Sequence, residues 1–284
     1  MSSTAEICSS FIESSPAGEL TEVVNDIKAL TSDDDPALID KLKPAFQKYN
    51  EEHLIAVKLP SGSQHVLISP HNRLSPTSYF DTQSSTSFTL DHQTQKASAP
   101  QSYTQDSPHA DIVSSLSRAL SAHFAEHYPP SGSGGGITSA FTVCPSTAED
   151  GKIALLLSTL KASPGNFLSG RWRSTFLYDP ASSSISGTLL VNVHYYEDGN
   201  VALTTRKTVP ETNVEGGGSG EAVVRKVAAL EKQYQEEVNR AVVGMNEGMF
   251  KGLRRQLPVT RQRVEWEKIR GYGLGGDLRG DGKR

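Results

Sequence analysis

The chain has 284 residues, 36% hydrophobic and 21% charged, with a formal net charge of −4. That is enough for one large core or two modest domains, far above the size that needs disulfide staples, and the composition is ordinary for a globular protein. Cys8 and Cys144 have neither CxxC spacing nor a nearby histidine, no apolar run reaches the ~18–20 residues of a membrane span, and the acidic N-terminus lacks the basic start of a secretory signal. A soluble, cytoplasmic protein with reduced thiols, not transmembrane, is expected.

Residues 5–13 place Ile7, Phe11 and Ile12 at helical spacing, and Pro16 to Gly18 stop that helix. Leu20, Val23, Val24, Ile27 and Leu30 form a second stripe. Asp35-Pro36 opens a third helix carrying Leu38, Ile39, Leu42, Phe46 and Tyr49, with Pro44 a potential bend. Three short helices with tight links predict a stalk too small to stand alone. Residues 54–59 and 65–69 flank Pro60-Ser61-Gly62-Ser63 as a hairpin, and 75–102 is a Ser/Thr/Gln-rich stretch, expected to be either a loop-heavy small subdomain or partly mobile. Asp106-Ser107-Pro108 starts a helix running to about residue 128, and Pro129-Pro130 with the following Gly/Ser run ends it.

Five strand-like segments follow, at 137–143, 152–160, 166–178, 184–196 and 200–209. Asp150-Gly151, Pro164-Gly165, Asp179-Pro180 and Asp198-Gly199 separate them, and such short turns predict an antiparallel meander with one face covered by helices. After Gly216 to Gly220, an apolar stripe runs Val223, Val227, Leu230, Tyr234, Val238, Val242, Met245 and Met249, predicting a long helix to about residue 256, where Leu257-Pro258 ends it. The fold class is α+β: an N-terminal three-helix stalk (1–53), a small β-rich globule (54–105), and a five-stranded antiparallel meander sheet covered by a shorter and a longer helix (106–257). A mobile C-terminal extension (258–284) completes it.

Charge is distributed unevenly. Residues 249–284 hold ten basic and four acidic side chains, a net of +6, which leaves −10 for the rest. A tail of opposite sign to its body points to an acidic partner: an acidic protein, anionic lipid or nucleic acid. Lys251, Arg254, Arg255 and Arg261 surround an apolar helix end and the Pro258 corner, and beyond it Val264, Trp266 and Ile269 give a short amphipathic edge with Trp266 as an interface anchor. No site of catalysis stands out. His194, Glu197 and Asp198 belong first to a tight hairpin, the glycine runs lack the Lys-Ser/Thr of a phosphate loop, and there is no GxSxG elbow or metal-ligand spacing. No cofactor or metal is expected, and no base-stacking platform accompanies the basic residues, so a nucleic-acid partner is not expected either.

Two segments carry a specific resemblance. VNVHYYEDGNV (191–201) and FKGLRRQLPVTR (250–261) resemble the two signature motifs of the α subunit of F-actin capping protein, and VEWEKIRGY (264–272) is similar to that family's C-terminal extension. The resemblance implies a non-enzymatic subunit in an obligate heterodimer with a β subunit, the two sheets joined edge to edge. It implies calcium-independent binding at the barbed end of actin filaments, blocking subunit exchange without severing, in cortical actin structures of the cytoplasm. It assigns actin contact to Lys251, Arg255 and Arg261, with Arg254 beside them and Val264, Trp266 and Ile269 as the apolar part. An alternative use of the same basic surface is binding to anionic lipids such as phosphoinositides.

Overall fold

The computed structural model describes residues 3–31, 36–60, 62, 65–132, 136–197, 199–216, 218–245 and 248. Three helices open it: α1 (Thr4–Glu13), α2 (Leu20–Thr31) and α3 (Pro36–Glu52). Ser3 and Glu6 form a capping box at the start of α1, satisfying backbone donors that the first turn leaves free. The α1 stripe differs from the expected one. Cys8 and Ile12 are buried, whereas Ile7 and Phe11 are about half exposed, at 48% and 51%. On α2, Leu20 and Ile27 face inward and Leu30 is 79% exposed. The third helix continues through Pro44 to Glu52.

The small globule is a hairpin, β1 (Ala56–Lys58) with β2 (His65–Leu67), and a four-stranded antiparallel sheet, β3 (Arg73–Ser75), β4 (Ser78–Asp81), β5 (Thr86–Asp91) and β6 (Lys96–Ser102). The polar stretch at 75–102 is therefore ordered strand. Tyr79, Phe80, Phe88 and Leu90 supply its buried apolar side chains while most Ser, Thr and Gln take the solvent positions. The stalk and the globule share one core, in which Ile12, Phe46 and Tyr49 belong to the same cluster as Val66, Tyr79 and Phe88.

After helix α4 (Ala110–His127), the five expected strands appear as β7 (Ile137–Pro145), β8 (Ile153–Ser163), β9 (Leu168–Asp179), β10 (Ser184–Tyr195) and β11 (Val201–Asn213). They form one antiparallel sheet in sequence order, with β7 and β11 at its edges. Helix α5 (Gly220–Gly244) follows, about 37 Å long at 1.5 Å per residue. Contacts divide the chain into two units, Met1–Gln235 and Glu236–Arg284. The sheet, its covering layers and α5 as far as Gln235 belong to the first.

Both faces of the sheet are covered. Trp172, Ser174, Phe176 and Tyr178 alternate toward α4 and α5, where Phe124 of α4 meets Phe141 and Tyr234 of α5 meets Trp172. The opposite face, with Arg171, Arg173 and Leu177 on β9, is covered by the stalk and the globule, whose Leu54, Leu67 and Phe80 pack with Ala140, Ala154 and Leu156. At a bulge between β10 and β11, Gly187 lies where an added Cβ would collide with the Thr175 carbonyl.

Candidate functional site

The 191–201 motif occupies the end of the β10–β11 hairpin, and its side chains tie the stalk to the sheet. Glu19, just before α2, accepts hydrogen bonds from Ser169 Oγ (2.7 Å) and His194 Nδ1 (2.8 Å). The other ring nitrogen of His194 faces Asn200 Oδ1 at 2.9 Å. With oxygen acceptors at both nitrogens, the imidazole is held as a double donor. Burial alone would lower its pKa, but the hydrogen bonds to Glu19 and Asn200 and the Glu19 charge outweigh that and raise it above 6.5. Tyr196 stacks on the His194 ring and meets Phe167 edge-on. Glu197 accepts from the Tyr195 hydroxyl. His194 and Glu197 are thus occupied in holding the hairpin, and they do not face one another as an acid–base pair.

Beside this hairpin lie two arginines that the sequence alone did not single out. Arg171 and Arg173 are each 5% exposed. Arg171 Nη1 donates to the His53 carbonyl at 3.1 Å, and Arg173 donates to the Glu52 carbonyl and to Asn192 Oδ1. Apart from the Asn192 amide oxygen, the acceptors are carbonyls at the C-terminus of α3, the negative end of its dipole, rather than carboxylates. Burial, followed by the two guanidinium charges, pushes the His53 pKa down to about 2. Burial and the neighbouring Arg171 push Arg173 down to about 10.

The helix-covered face carries a buried anion. Glu231 of α5, 8% exposed, accepts from the Tyr128 hydroxyl (2.7 Å), from Ser174 Oγ and from His123 Nε2 (3.3 Å), and Trp172 Nε1 donates to Ser174 Oγ at 2.9 Å. Burial and the Glu231 charge raise the Tyr128 pKa well above its ordinary value, so the phenol stays a donor. Leu230, expected in the apolar stripe, is only half-buried, and its neighbour Glu231 takes the inner position.

The two sheet edges differ. Among the described residues no strand pairs with the outer side of β11. On β7 the outward groups at the start are capped, with Ile137 O accepting from Gly132 N and Ser139 using both backbone groups on Ser131 Oγ. No cluster of His, Cys, Asp or Glu among the described residues could hold a metal, and none of their helices is long and apolar enough to cross a membrane. The sequence-derived contact residues Lys251, Arg254, Arg255, Arg261, Val264, Trp266 and Ile269 lie outside the described residues.

The model of the F-actin capping protein alpha subunit family matches residues 8–277. The chain belongs to that family. It is 50% identical over 284 residues to the F-actin-capping protein subunit alpha of Neurospora crassa, covering the whole of both chains. It is 49% identical to that of Chaetomium thermophilum, covering 100% of this chain and 99% of the relative. Its fold is similar to the homodimeric actin capping protein alpha subunit from Plasmodium berghei, with a TM-score of 0.69 at 16% identity, over 91% of this chain and 98% of the other. Within the family frame, the hairpin motif is the part whose geometry is now explicit: it fastens stalk to sheet.

Proposed function

We propose that this chain is the α subunit of a heterodimer that caps the barbed end of actin filaments, blocking subunit exchange there without severing, without calcium and without catalysis. The full-length match to capping-protein α subunits carries this reading. A sheet edge of thirteen residues at β11, unpaired on its outer side among the described residues, supports the dimer, because an uncovered edge is normally blunted or paired. The exposed Ile7, Phe11 and Leu30 give the stalk an apolar surface of its own for the β subunit to cover. Actin contact falls to Lys251, Arg255 and Arg261, with Arg254 alongside and Val264, Trp266 and Ile269 as the apolar anchor in the 258–284 extension. Guanidinium groups pair bidentately with the carboxylates of an acidic filament surface. The protein works in the cytoplasm, in cortical actin.

The test is actin elongation from filament seeds with the chain co-expressed with a β subunit, in EGTA and in calcium. Elongation should stop at nanomolar dimer in both. The triple variant Lys251→Ala/Arg255→Ala/Arg261→Ala should weaken capping at least about 100-fold while the dimer and its melting temperature persist. Unchanged elongation with the wild-type dimer would refute the reading, and loss of the dimer in the variant would make those residues structural.

A further inference from the structure

Arg206 sits near the middle of the open edge strand, exposed, on the stalk-facing side of the sheet. No described residue bonds its guanidinium. Register places it opposite Leu190 of β10, and Leu190 opposite Arg173 of β9, so the two arginines stand in one cross-strand row. They are close enough for the Arg206 charge to act on Arg173. Among the described residues of β10 and β11 on this face there is no carboxylate, and Glu211, beyond the bulge, is engaged with Ser184 Oγ. Within the two strands the row is therefore a strip of positive charge that runs to the sheet edge; the acids on this side come from the stalk, with the Glu52 charge acting on Arg173 and Glu13 beside Asn192 and Thr204.

A second copy of the same strand fits this edge poorly. Symmetric antiparallel pairing requires a two-fold axis perpendicular to the sheet, which sets like faces side by side. The regular part of β11 spans residues 201–209 and is centred on Thr205. Overlapping that stretch on itself makes the two Arg206 side chains diagonal neighbours, about 7–8 Å apart. That is within the ~8 Å screening length of physiological salt, and buried Arg173 stands behind each. A slip that centres the axis on Arg206 sets the two guanidiniums directly opposite.

We propose that Arg206 is the residue by which this edge chooses its partner: the strand that pairs with β11 belongs to a different chain and presents a carboxylate across from or diagonal to Arg206, while self-pairing is rejected by like charge. This rests on the reading of β11 as a dimer edge and adds the rule of selection.

The experiment uses the full chain co-expressed with the capping-protein β subunit, followed by sedimentation through dilution. Arg206→Glu should weaken the heterodimer about tenfold, and Arg206→Lys should retain it. Mixing differently tagged wild-type and Arg206→Glu copies of this chain, without β subunit, should give mixed pairs that neither forms alone. If Arg206→Glu, melting like wild type, holds the β subunit as tightly, the selection rule is wrong though the edge reading stands. A wild-type chain that recovers no β subunit removes both.

Discussion

The two faces of the large sheet bury charge in opposite ways. Toward the stalk, two guanidiniums lie against the carbonyl end of α3, with no carboxylate bonded to either. Toward α4 and α5, one carboxylate lies among a phenol, a hydroxyl and an imidazole. Neither joins a carboxylate to an arginine or lysine. A buried cation bonded to no carboxylate is tolerable because a helix C-terminus supplies partial negative charge in fixed directions, and a buried carboxylate because hydrogen-bond donors surround it. The difference lies in what each device joins. The arginines join two separate layers, stalk and sheet, whereas Glu231 fastens α5 to the strand beneath it and to the end of α4.

The largest effect is expected on the stalk side. Arg173→Ala leaves the Glu52 carbonyl and Asn192 without their donor and should cost about 3 kcal/mol in urea denaturation. A cost no greater than that of the exposed Arg225→Ala would break the comparison, since the cations would then hold nothing. On the helix side, Glu231→Gln keeps the shape and one acceptor but removes the charge, and should cost about 1–2 kcal/mol. Equal costs at Arg173 and Glu231 would mean that the two faces are fastened alike.

The smallest effect concerns His194 and depends on pH. A histidine whose folded pKa is raised contributes stability that is fully present below its unfolded pKa, near 6.5, and is lost as pH rises through the folded value. The groups around it are Glu19, Glu13 and Glu22 from the stalk, His53 after α3, and Tyr196 stacked on the ring. Wild type should exceed His194→Gln in stability by about 1 kcal/mol or less at pH 6, and the gap should close toward pH 9. A gap that widens with pH would show that His194 is not held as the cation. His53 works in the opposite direction: its pKa is depressed, so its share of stability is present above pH 6.5 and falls away in acid.

Much of this architecture is legible in the sequence because turns and periodicity are local. Asp150-Gly151 and Asp179-Pro180 mark the strand ends wherever the strands finally pack, and the α5 stripe follows from spacing alone. What resisted reading depends on distant partners. Arg171-Trp172-Arg173 alternates visibly, yet the arginines are the more buried set, because their acceptors are carbonyls 118 and 121 positions away. Glu231 goes inside in place of Leu230 for the same reason: its donors come from α4 and β9. In α1 the inner pair is Cys8 and Ile12, since a short helix with apolar residues on two adjacent faces does not specify which one turns inward. At 75–102, serine and threonine conceal strands whose burial rests on a few aromatic and aliphatic side chains. For the proposed actin surface, the sequence supplies residues and spacing, and Lys251 to Ile269 lie beyond what the structure describes.

The hydroxyl of Ser131, which takes both backbone groups of Ser139, has a consequence for stoichiometry. A flat strand array with two open borders can recruit neighbours at each side and grow into a ribbon without limit. Here one border is stitched shut at Ile137 and Ser139, and Pro145 has no N–H to offer at its far end. Growth is therefore hindered at the start of the β7 border, whereas no such cap is seen on β11 among the described residues. In the proposed heterodimer, that asymmetry makes β11 the side on which this chain takes its one partner.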